Sequence, residues 1–252
     1  MEIGAKIVQV KSCLSTNDMA KDLALSGEKE GTVVISEEQT QGKGTKGRSW
    51  YSARKKGLYL SVVLYPPHPD ISLLPLVAGL AVSDAVFSSL GIRISLKWPN
   101  DLVWKGKKLG GILCESAYSG NRVNYAVLGI GLNLSHGMDD FPEEIRDQAV
   151  SLKLISKEEP DEKALLGNLW QALSHWYGEF VHGKGDRIIS AYQEISVLSP
   201  GKKVTLDTDR GEISGIYRGI SPQGGLILES GGEEKTYFSA EIKAVKGSKK
   251  EG

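Results

Sequence analysis

The change in sequence pattern at Ser199-Pro200-Gly201 is the strongest constraint on how this chain folds. Before it, segments with a helical spacing of apolar residues stand among β-branched or alternating segments. After it, no long helix fits, and glycine-rich turns separate four or five short strand-like segments. We therefore predict an α+β chain, in which residues 1–198 form a mixed sheet flanked by helices. Residues 199–252 are predicted to form a small, SH3-like β-barrel.

The first of these two parts contains the predicted helices and the longer strands. Apolar periodicity and capping residues predict helices that begin at Ser15 and that cover 72–90, 161–181 and 186–195. Alternating or β-branched residues predict strands over 32–36, 58–65, 92–98, 108–116 and 123–132. The polar segments 39–56 and 136–161 are then connections between these elements.

Composition and charge exclude several classes of protein. The net charge is zero, so the chain has no overall field that would favour nucleic acid or a membrane surface. The most apolar stretch, Leu73 to Val82, is ten residues long and too short to span a bilayer. Cys13 and Cys114 stand apart without a CxxC spacing, which favours reduced thiols. Together with the lack of an apolar signal-peptide core, these features predict a cytoplasmic protein.

A basic, glycine-containing segment lies between two predicted strands. No acidic residue occurs from Gln39 to Pro69, whereas six lysines and arginines fall between Lys43 and Lys56. Glycines in the same segment let backbone N–H groups approach an anion closely. We predict a loop that closes over phosphates, and that stays mobile until an anion offsets the mutual repulsion of the cations. The alternative is a solvated, charged loop without a ligand.

The loop sequence GKGTKGRS at 42–49 is close to a phosphate-binding P-loop but differs from it in two ways. Arg48 replaces the lysine of that motif, and residues 37–41 separate the loop from the preceding strand. A P-loop opens directly into a helix, whereas here the residues that follow form another predicted strand. We therefore reject the P-loop interpretation.

Glycines interrupt two apolar strands that follow a tight turn. The turn has the sequence KWPND at 97–101, in which Pro, Asn and Asp favour turn conformations. The next two strands contain KLGGIL at 108–113 and GIGLNL at 129–134. Glycine inside a strand often marks the close approach of a ligand or of another backbone segment. The three segments together indicate a binding site.

Taken in order, these motifs resemble those of the biotin protein ligases, a family related in fold to class II aminoacyl-tRNA synthetases and lipoate ligases. The matching segments are Ser15-Thr16-Asn17, Gln39-Thr40, GKGTKGRSW at 42–50, KWPND at 97–101, KLGGIL at 108–113 and GIGLNL at 129–134. The resemblance covers most of residues 1–198, and the β-rich tail is similar to the family's small C-terminal domain.

The resemblance implies a role for residues from each motif. For biotin binding, it implies Ser15, Thr16, Asn17, Gln39, Lys43, Gly44, Thr45, Lys108 and Gly111. For ATP or adenylate binding, it implies Lys43, Gly44, Thr45, Arg48, Trp50, Lys97, Asn100 and Asn133. Lys108 and Asp101 would be the catalytic residues, and no metal ligand is assigned.

The resemblance also implies the reaction. The enzyme would use ATP to activate biotin as biotinyl-5'-AMP, release pyrophosphate and transfer biotin to a lysine of a biotin carboxyl carrier protein. Lys108 would hold two anions together, and Mg²⁺ would neutralise the departing pyrophosphate. Asp101 would accept a proton from the acceptor lysine, or would position that lysine or the metal. We expect no nucleic acid or membrane partner, and a homodimer is left open.

The chain departs from the family's pattern at Thr45. The family's loop usually reads Gly-Arg-Gly-Arg, whereas residues 42–45 read Gly-Lys-Gly-Thr here, so a charge and a bidentate donor are lost. Either Lys46 or Arg48 fills this role from a shifted loop, or the adenylate is held less tightly.

Two other functions remain open at this point. One is a lipoate or related acyl ligase of the same fold, and the other is a non-catalytic protein that binds biotinyl-adenylate. The matching segments begin at Ser15, so we expect no winged-helix domain and no repressor function.

Overall fold

The computed structural model of the chain describes residues 2–246, with side chains up to residue 243. It contains a seven-stranded mixed sheet that carries helices, followed by a five-stranded antiparallel sheet. The predicted α+β fold is confirmed. No helix in the described range is both long enough and apolar enough to cross a membrane.

The larger sheet is built around a long central hairpin. Its strands are β1 (Ile7–Val10), β2 (Val33–Ser36), β3 (Gly57–Leu64), β4 (Ser95–Lys97), β5 (Asp101–Trp104), β6 (Lys107–Ser119) and β7 (Arg122–Asn133). They lie in the order β1-β2-β3-β7-β6-β5-β4, in which β1 and β2 are parallel and all other neighbours are antiparallel. The hairpin β6–β7 therefore brings the two glycine-containing motifs side by side.

Four of the six α-helices in residues 2–246 follow the predicted boundaries closely, and the two short ones lie within the segment 136–161 that was predicted to be a connection. The helices are α1 (Thr16–Leu25), α2 (Leu74–Leu90), α3 (Glu143–Arg146), α4 (Leu152–Ser156), α5 (Glu162–Val181) and α6 (Gly185–Ile195). Helix α2 has Pro75 in its first turn, where the missing N–H costs no hydrogen bond. It ends at Gly91, whose φ of 67° a residue with a side chain adopts less readily.

The larger sheet packs helices on both faces, because side chains alternate along each strand. On β3, Leu60 and Val62 join the main core with α2 and α5. Val63 points the other way and packs with Ala20 and Ala24 of α1. The face that α1 shares is therefore only partly apolar, and the polar side chains of the candidate site lie on it.

The C-terminal strands form a separate antiparallel sheet. They are β8 (Lys203–Thr208), β9 (Gly211–Ile220), β10 (Leu226–Ser230), β11 (Glu233–Tyr237) and β12 (Glu241–Lys246), in the order β11-β10-β9-β8-β12. This arrangement is consistent with the predicted SH3-like domain. Within the strands that the structure describes, β11 does not pair with β12, so the sheet is not closed into a barrel.

The boundary between residues 1–198 and 199–252 stays a prediction, and residues 247–252 lie outside the described range. The two parts are in contact. The Trp98 Nε1 atom donates a hydrogen bond of 3.0 Å to the carbonyl oxygen of Gly224, and the indole is buried. This bond joins the turn before β5 to the turn before β10.

One strand prediction was wrong, and two strands were missed. Strands β1 and β5 were not predicted, and the alternating segment 92–98 forms a strand only at Ser95–Lys97. Each of these short strands depends on a neighbour for its hydrogen bonds, since β1 pairs with β2 and β4 pairs with β5. A local pattern of four residues does not report such pairing.

Candidate active site

A cavity of about 110 Å³ opens where α1, the glycine loop (residues 42–50) and the β6–β7 hairpin meet. Most of the residues that the sequence singles out line it together. They are Ser15, Thr16, Asn17, Gln39, Lys43, Gly44, Thr45, Arg48, Trp50, Asn100, Lys108 and Gly111. Residues as far apart as 15 and 111 thus converge on one site.

A second cavity of about 410 Å³ adjoins the first. It contains the other three predicted site residues, Lys97, Asp101 and Asn133. Arg48, Ser49, Trp50 and Lys108 line both cavities. The site therefore has two compartments that meet at Lys108.

The first turn of α1 forms one wall of the first cavity. Ser15 occupies the N-cap position, but its side chain makes no capping hydrogen bond. The free N–H of Thr16 instead donates to Gln39 Oε1 over 2.8 Å, which satisfies one of the donors that a helix start leaves unpaired. Gln39 Nε2 donates to Ser52 Oγ over 2.9 Å. The Gln39 amide is consequently held in one orientation, and the Ser15 hydroxyl remains uncommitted to the helix.

Three strand glycines make room for two side chains of the site. A Cβ atom at Gly129 would lie 2.2 Å from Asn17 Oδ1, and one at Gly131 would lie 2.6 Å from the Trp50 indole. At Gly111 the corresponding distance to the indole is 3.3 Å. At these three glycines the groups that approach closely are side chains of the site itself, where a ligand or another backbone segment was expected.

Lys108 stands at the junction of the two cavities. Its Nζ atom lies 2.5 Å from Asp101 Oδ1, on the neighbouring strand β5. The same ammonium group lies 5.6 Å from the centre of the Trp50 ring, within the range of a cation–π contact. Both charged side chains are partly exposed, so an arriving anion has access to the lysine.

Asn100 and Asn133 hold the walls of the site. Asn100 Nδ2 donates to the carbonyl oxygen of Ile112 over 2.9 Å, which fastens the KWPND turn to β6. Asn133 is buried, and its Nδ2 donates to the carbonyl oxygen of Val150 over 3.0 Å. The side-chain amide nitrogens of both residues thus donate hydrogen bonds to backbone carbonyl groups, a role that the sequence did not indicate.

The glycine loop folds into a small hairpin whose tip reaches the C-terminal sheet. Lys43 pairs with Ser49, and the N–H of Gly44 donates to the carbonyl oxygen of Arg48 over 2.7 Å. At the tip, Lys46 has a φ of 56°. Thr45 and Arg48 line the first cavity, whereas Lys46 lines a neighbouring one and lies 3.6 Å from Asp209.

Every cation of the basic segment has a carboxylate within 4.0 Å. The pairs are Lys43–Asp18, Lys46–Asp209, Arg48–Glu241, Arg54–Glu37, Lys55–Glu37 and Lys56–Asp140. The sequence analysis expected these cations to repel one another until an anion binds. That expectation is wrong for the folded chain, because carboxylates of the protein already pair with them. Burial alone would raise the pKa of Asp18. The ammonium groups of Lys43 and Lys21 outweigh burial, so the pKa of Asp18 is lowered.

Two residues of the site were missed by the sequence analysis. Ser61 Oγ lies 2.6 Å from Asn17 Oδ1, and Glu115 Oε2 lies 2.7 Å from Asn17 Nδ2. Ser61 is a small polar residue in the middle of the buried strand β3. That position was a usable signal, because a buried hydroxyl needs a hydrogen-bond partner.

The comparisons with known proteins cover both parts of the chain. Residues 10–133 match the biotin/lipoate A/B protein ligase family, and residues 201–243 match the biotin protein ligase C-terminal domain. A biotin–[acetyl-CoA-carboxylase] ligase of Mycobacterium tuberculosis is 34% identical over 236 residues, which cover 90% of this chain and 85% of that protein. The chain belongs to the biotin protein ligase family. It is therefore a ligase, as the motifs predicted.

Other members of the family are similar over most of the chain. The bifunctional ligase/repressor BirA of Bacillus spizizenii is 33% identical over 95% of this chain and 74% of its own length. A biotin protein ligase of Aquifex aeolicus, solved in complex with biotin and ATP, superposes with a TM-score of 0.81 at 30% identity. That match covers 94% of this chain and 97% of the Aquifex chain.

Proposed function

We propose that this ligase uses ATP to convert biotin to biotinyl-5'-AMP and then transfers biotin to a lysine of a biotin carboxyl carrier protein. The observation that carries the proposal is the position of Lys108 between two cavities. One cavity has, besides three cations, uncharged polar groups that suit the head of biotin, and the other is large enough for a nucleotide. The biotin carboxylate and the α-phosphate of ATP would meet at this ammonium group.

In the first step, a carboxylate oxygen of biotin attacks the α-phosphorus of ATP, and the bond to the β-phosphate breaks. Both reactants are anions, so their approach needs a fixed positive charge that also stabilises the transition state. Lys108 is the cation that lines both cavities together with Arg48. Asp101 holds the Lys108 ammonium group in place from 2.5 Å.

Mg²⁺ fits this site only as a metal held mainly by the substrate. No group of three or more His, Cys, Asp or Glu side chains suited to a metal occurs among residues 2–246. Magnesium bound through phosphates needs as little as one protein carboxylate, and Asp101 is the one at the junction. When bound, the ion would neutralise the charge on the departing pyrophosphate.

In the second step, the amine of the acceptor lysine attacks the acyl carbon, and AMP leaves. The amine must lose a proton, and Asp101 would either accept that proton or position the acceptor lysine. The residues Lys97 and Asn133, in the second cavity, would hold AMP while this happens.

The first cavity favours biotin over lipoate as the acid. Thr16, Asn17 and Gln39 present buried or half-buried hydrogen-bonding groups at its inner end. The ureido ring of biotin offers N–H donors and a carbonyl acceptor, whereas the dithiolane ring of lipoate offers neither. With lipoate, the hydrogen-bonding capacity that these groups do not already use within the protein would lose solvent without gaining a partner, which is costly.

The test is release of pyrophosphate by the purified protein with ATP and either biotin or lipoate. We expect release with biotin only, and biotin attached to a carrier domain when that domain is added, detected with labelled streptavidin. A carrier domain whose acceptor lysine is replaced by arginine is the control. Release with lipoate and not with biotin, or no release with either acid, would contradict the proposal.

A further inference from the structure

The side-chain amide of Asn17 is buried and held from two sides. Its Nδ2 atom donates to Glu115 Oε2 over 2.7 Å, and its Oδ1 atom accepts from Ser61 Oγ over 2.6 Å. Asn17 itself is 4% exposed. The missing side chain at Gly129 leaves the space that the Oδ1 atom fills. Three strands and one helix thus determine where this amide sits.

The partners also determine which way round the amide lies. A carboxylate only accepts hydrogen bonds, so the atom that faces Glu115 must be the nitrogen. The same nitrogen lies 3.4 Å from the carbonyl oxygen of Leu113, which also only accepts. A reversed amide would place its oxygen against both acceptors. Asn17 therefore turns its oxygen, and not its N–H groups, toward Ser61, and the residue is one of those that line the first cavity.

Glu115 is itself fixed in position. Its other oxygen, Oε1, lies 2.6 Å from Lys21 Nζ, and both side chains are less than one-third exposed. Lys21 is on α1, four residues after Asn17, so both partners of Glu115 come from the same face of that helix. Burial alone would lower the pKa of Lys21. The carboxylates of Glu115 and Asp18 outweigh burial, so the pKa of Lys21 is raised. The carboxylate is thus anchored to the helix that carries Asn17.

We infer that Glu115 and Ser61 are positioning residues that keep Asn17 as a hydrogen-bond acceptor for a ring N–H of the bound acid. The inference rests on the proposed function, since the ring N–H is that of the biotin ureido group. Neither Glu115 nor Ser61 lines the first cavity. Glu115 acts through Asn17, and Ser61 acts through Asn17 and through Thr16, whose Oγ1 atom lies 2.8 Å from Ser61 Oγ. The network selects acids whose ring carries a donor at this point.

The first experiment compares Glu115→Leu, Glu115→Gln and Ser61→Ala in the pyrophosphate assay. Glu115→Leu and Ser61→Ala should raise KM for biotin about threefold to tenfold, the change expected for one neutral hydrogen bond. KM for ATP and kcat should stay within about twofold of the parent protein, because one hydrogen bond to biotin is all that is lost. Glu115→Gln keeps an acceptor oxygen and should restore part of the affinity for biotin.

The matched control is Glu28→Leu, which removes a carboxylate near the far end of α1, where Glu28 pairs with Lys6. It should leave every kinetic constant unchanged. Equal changes in KM for biotin and for ATP, or no recovery in Glu115→Gln, would mean that Glu115 only supports the fold, and the inference would be overturned.

The second experiment uses a biotin analogue in which a ureido nitrogen carries a methyl group in place of hydrogen. The methylated analogue lacks this donor, so the parent protein should bind it more weakly than biotin. The dissociation constants are measured by calorimetry. In Glu115→Leu this preference should shrink about threefold or more, because Asn17 is no longer held as an acceptor. An unchanged preference in the variant would overturn the inference. A parent protein that does not bind biotin at all would contradict the proposed function, and this inference with it.

Discussion

The Arg48 guanidinium of the glycine loop lies 3.1 Å from the Glu241 carboxylate of strand β12. The pair connects a loop that borders both cavities to the C-terminal sheet. Both side chains are more than one-third exposed, so the pair contributes about 0–1 kcal/mol to stability. The pair matters because it determines where Arg48 lies. Thr45 stands where the family's loop usually has an arginine, and Arg48 is a candidate to replace that arginine.

Replacing Glu241 by Gln should free Arg48 to contact the adenylate. A surface ion pair of about 1 kcal/mol corresponds to roughly a fivefold change in an equilibrium constant. We therefore expect biotinyl-adenylate to dissociate up to about fivefold more slowly from Glu241→Gln, measured by stopped-flow competition. Glu233→Gln, which removes a carboxylate paired with Lys235 on β11, is the control. Faster dissociation from Glu241→Gln would show that Glu241 supports the site.

Replacing Lys108 by Ala should abolish most of the adenylation activity. Loss of one electrostatic stabiliser of a transition state typically lowers the rate about 10²- to 10³-fold. The measurement is biotin-dependent release of pyrophosphate. Lys107→Ala is a suitable control, because Lys107 precedes Lys108 on the same strand and lines neither cavity. Near-normal release from Lys108→Ala would remove Lys108 from the reaction.

Replacing Thr45 by Arg should slow the escape of the adenylate. A charge-assisted hydrogen bond contributes roughly 1.5–3 kcal/mol, which corresponds to about a ten- to hundredfold change in the dissociation rate. Thr45 lines the first cavity, so an arginine there would reach the ligand. Thr40→Arg, on an exposed part of the same connection, controls for added charge. Unchanged dissociation would mean that another cation already holds the phosphate.

Replacing Gly131 by Ala should displace the Trp50 indole. The new Cβ atom would lie 2.6 Å from the ring, and such overpacking costs about 1–3 kcal/mol. We expect that loss of stability in urea unfolding, together with a higher KM for ATP. Gly178→Ala is the matched control, because Gly178 lies in α5 with open space beside it. It should stabilise the protein by about 0.5–1 kcal/mol. Equal stability of both variants would contradict the role given to Gly131.

The buried His136 should make the protein less stable as the pH falls. Burial lowers the pKa of His136 to about 4, and the neighbouring Asp140 only partly offsets this. The unfolded chain has an ordinary pKa near 6.5, so it takes up the proton first and unfolding is favoured. This contribution to stability is complete above pH 6.5, falls by roughly 2 kcal/mol at pH 5, and is lost as the pH approaches 4.

The variant His136→Phe keeps a ring against Phe141, on which His136 stacks, and removes the titration. Its free energy of unfolding should change less between pH 7 and pH 5 than that of the parent protein. A parent and a His136→Phe variant with the same pH dependence would contradict the assignment.

The parts of the site that the sequence could predict are those set by local chemistry. The start of α1 after Ser15 and the glycines at 129 and 131 follow from caps, turns and strand patterns. The six short motifs indicated the family because their order is specific. The contacts between Arg48 and Glu241, or between Asn17 and Glu115, join residues 193 and 98 positions apart. A local sequence pattern cannot predict contacts between residues so far apart in the chain, because those contacts depend on how the sheets assemble.

The pairing of every cation in the basic segment changes what ligand binding means for this loop. An arriving phosphate does not find bare positive charge; it finds ammonium and guanidinium groups that already have carboxylate partners. Loading the site is therefore a substitution, in which one anion takes the place of another. Added salt weakens the ion pair that is broken in this exchange as well as the one that is formed. This competition makes the loop selective among anions. To bind, an anion must interact with the lysine or arginine more strongly than the aspartate or glutamate that is already paired with it.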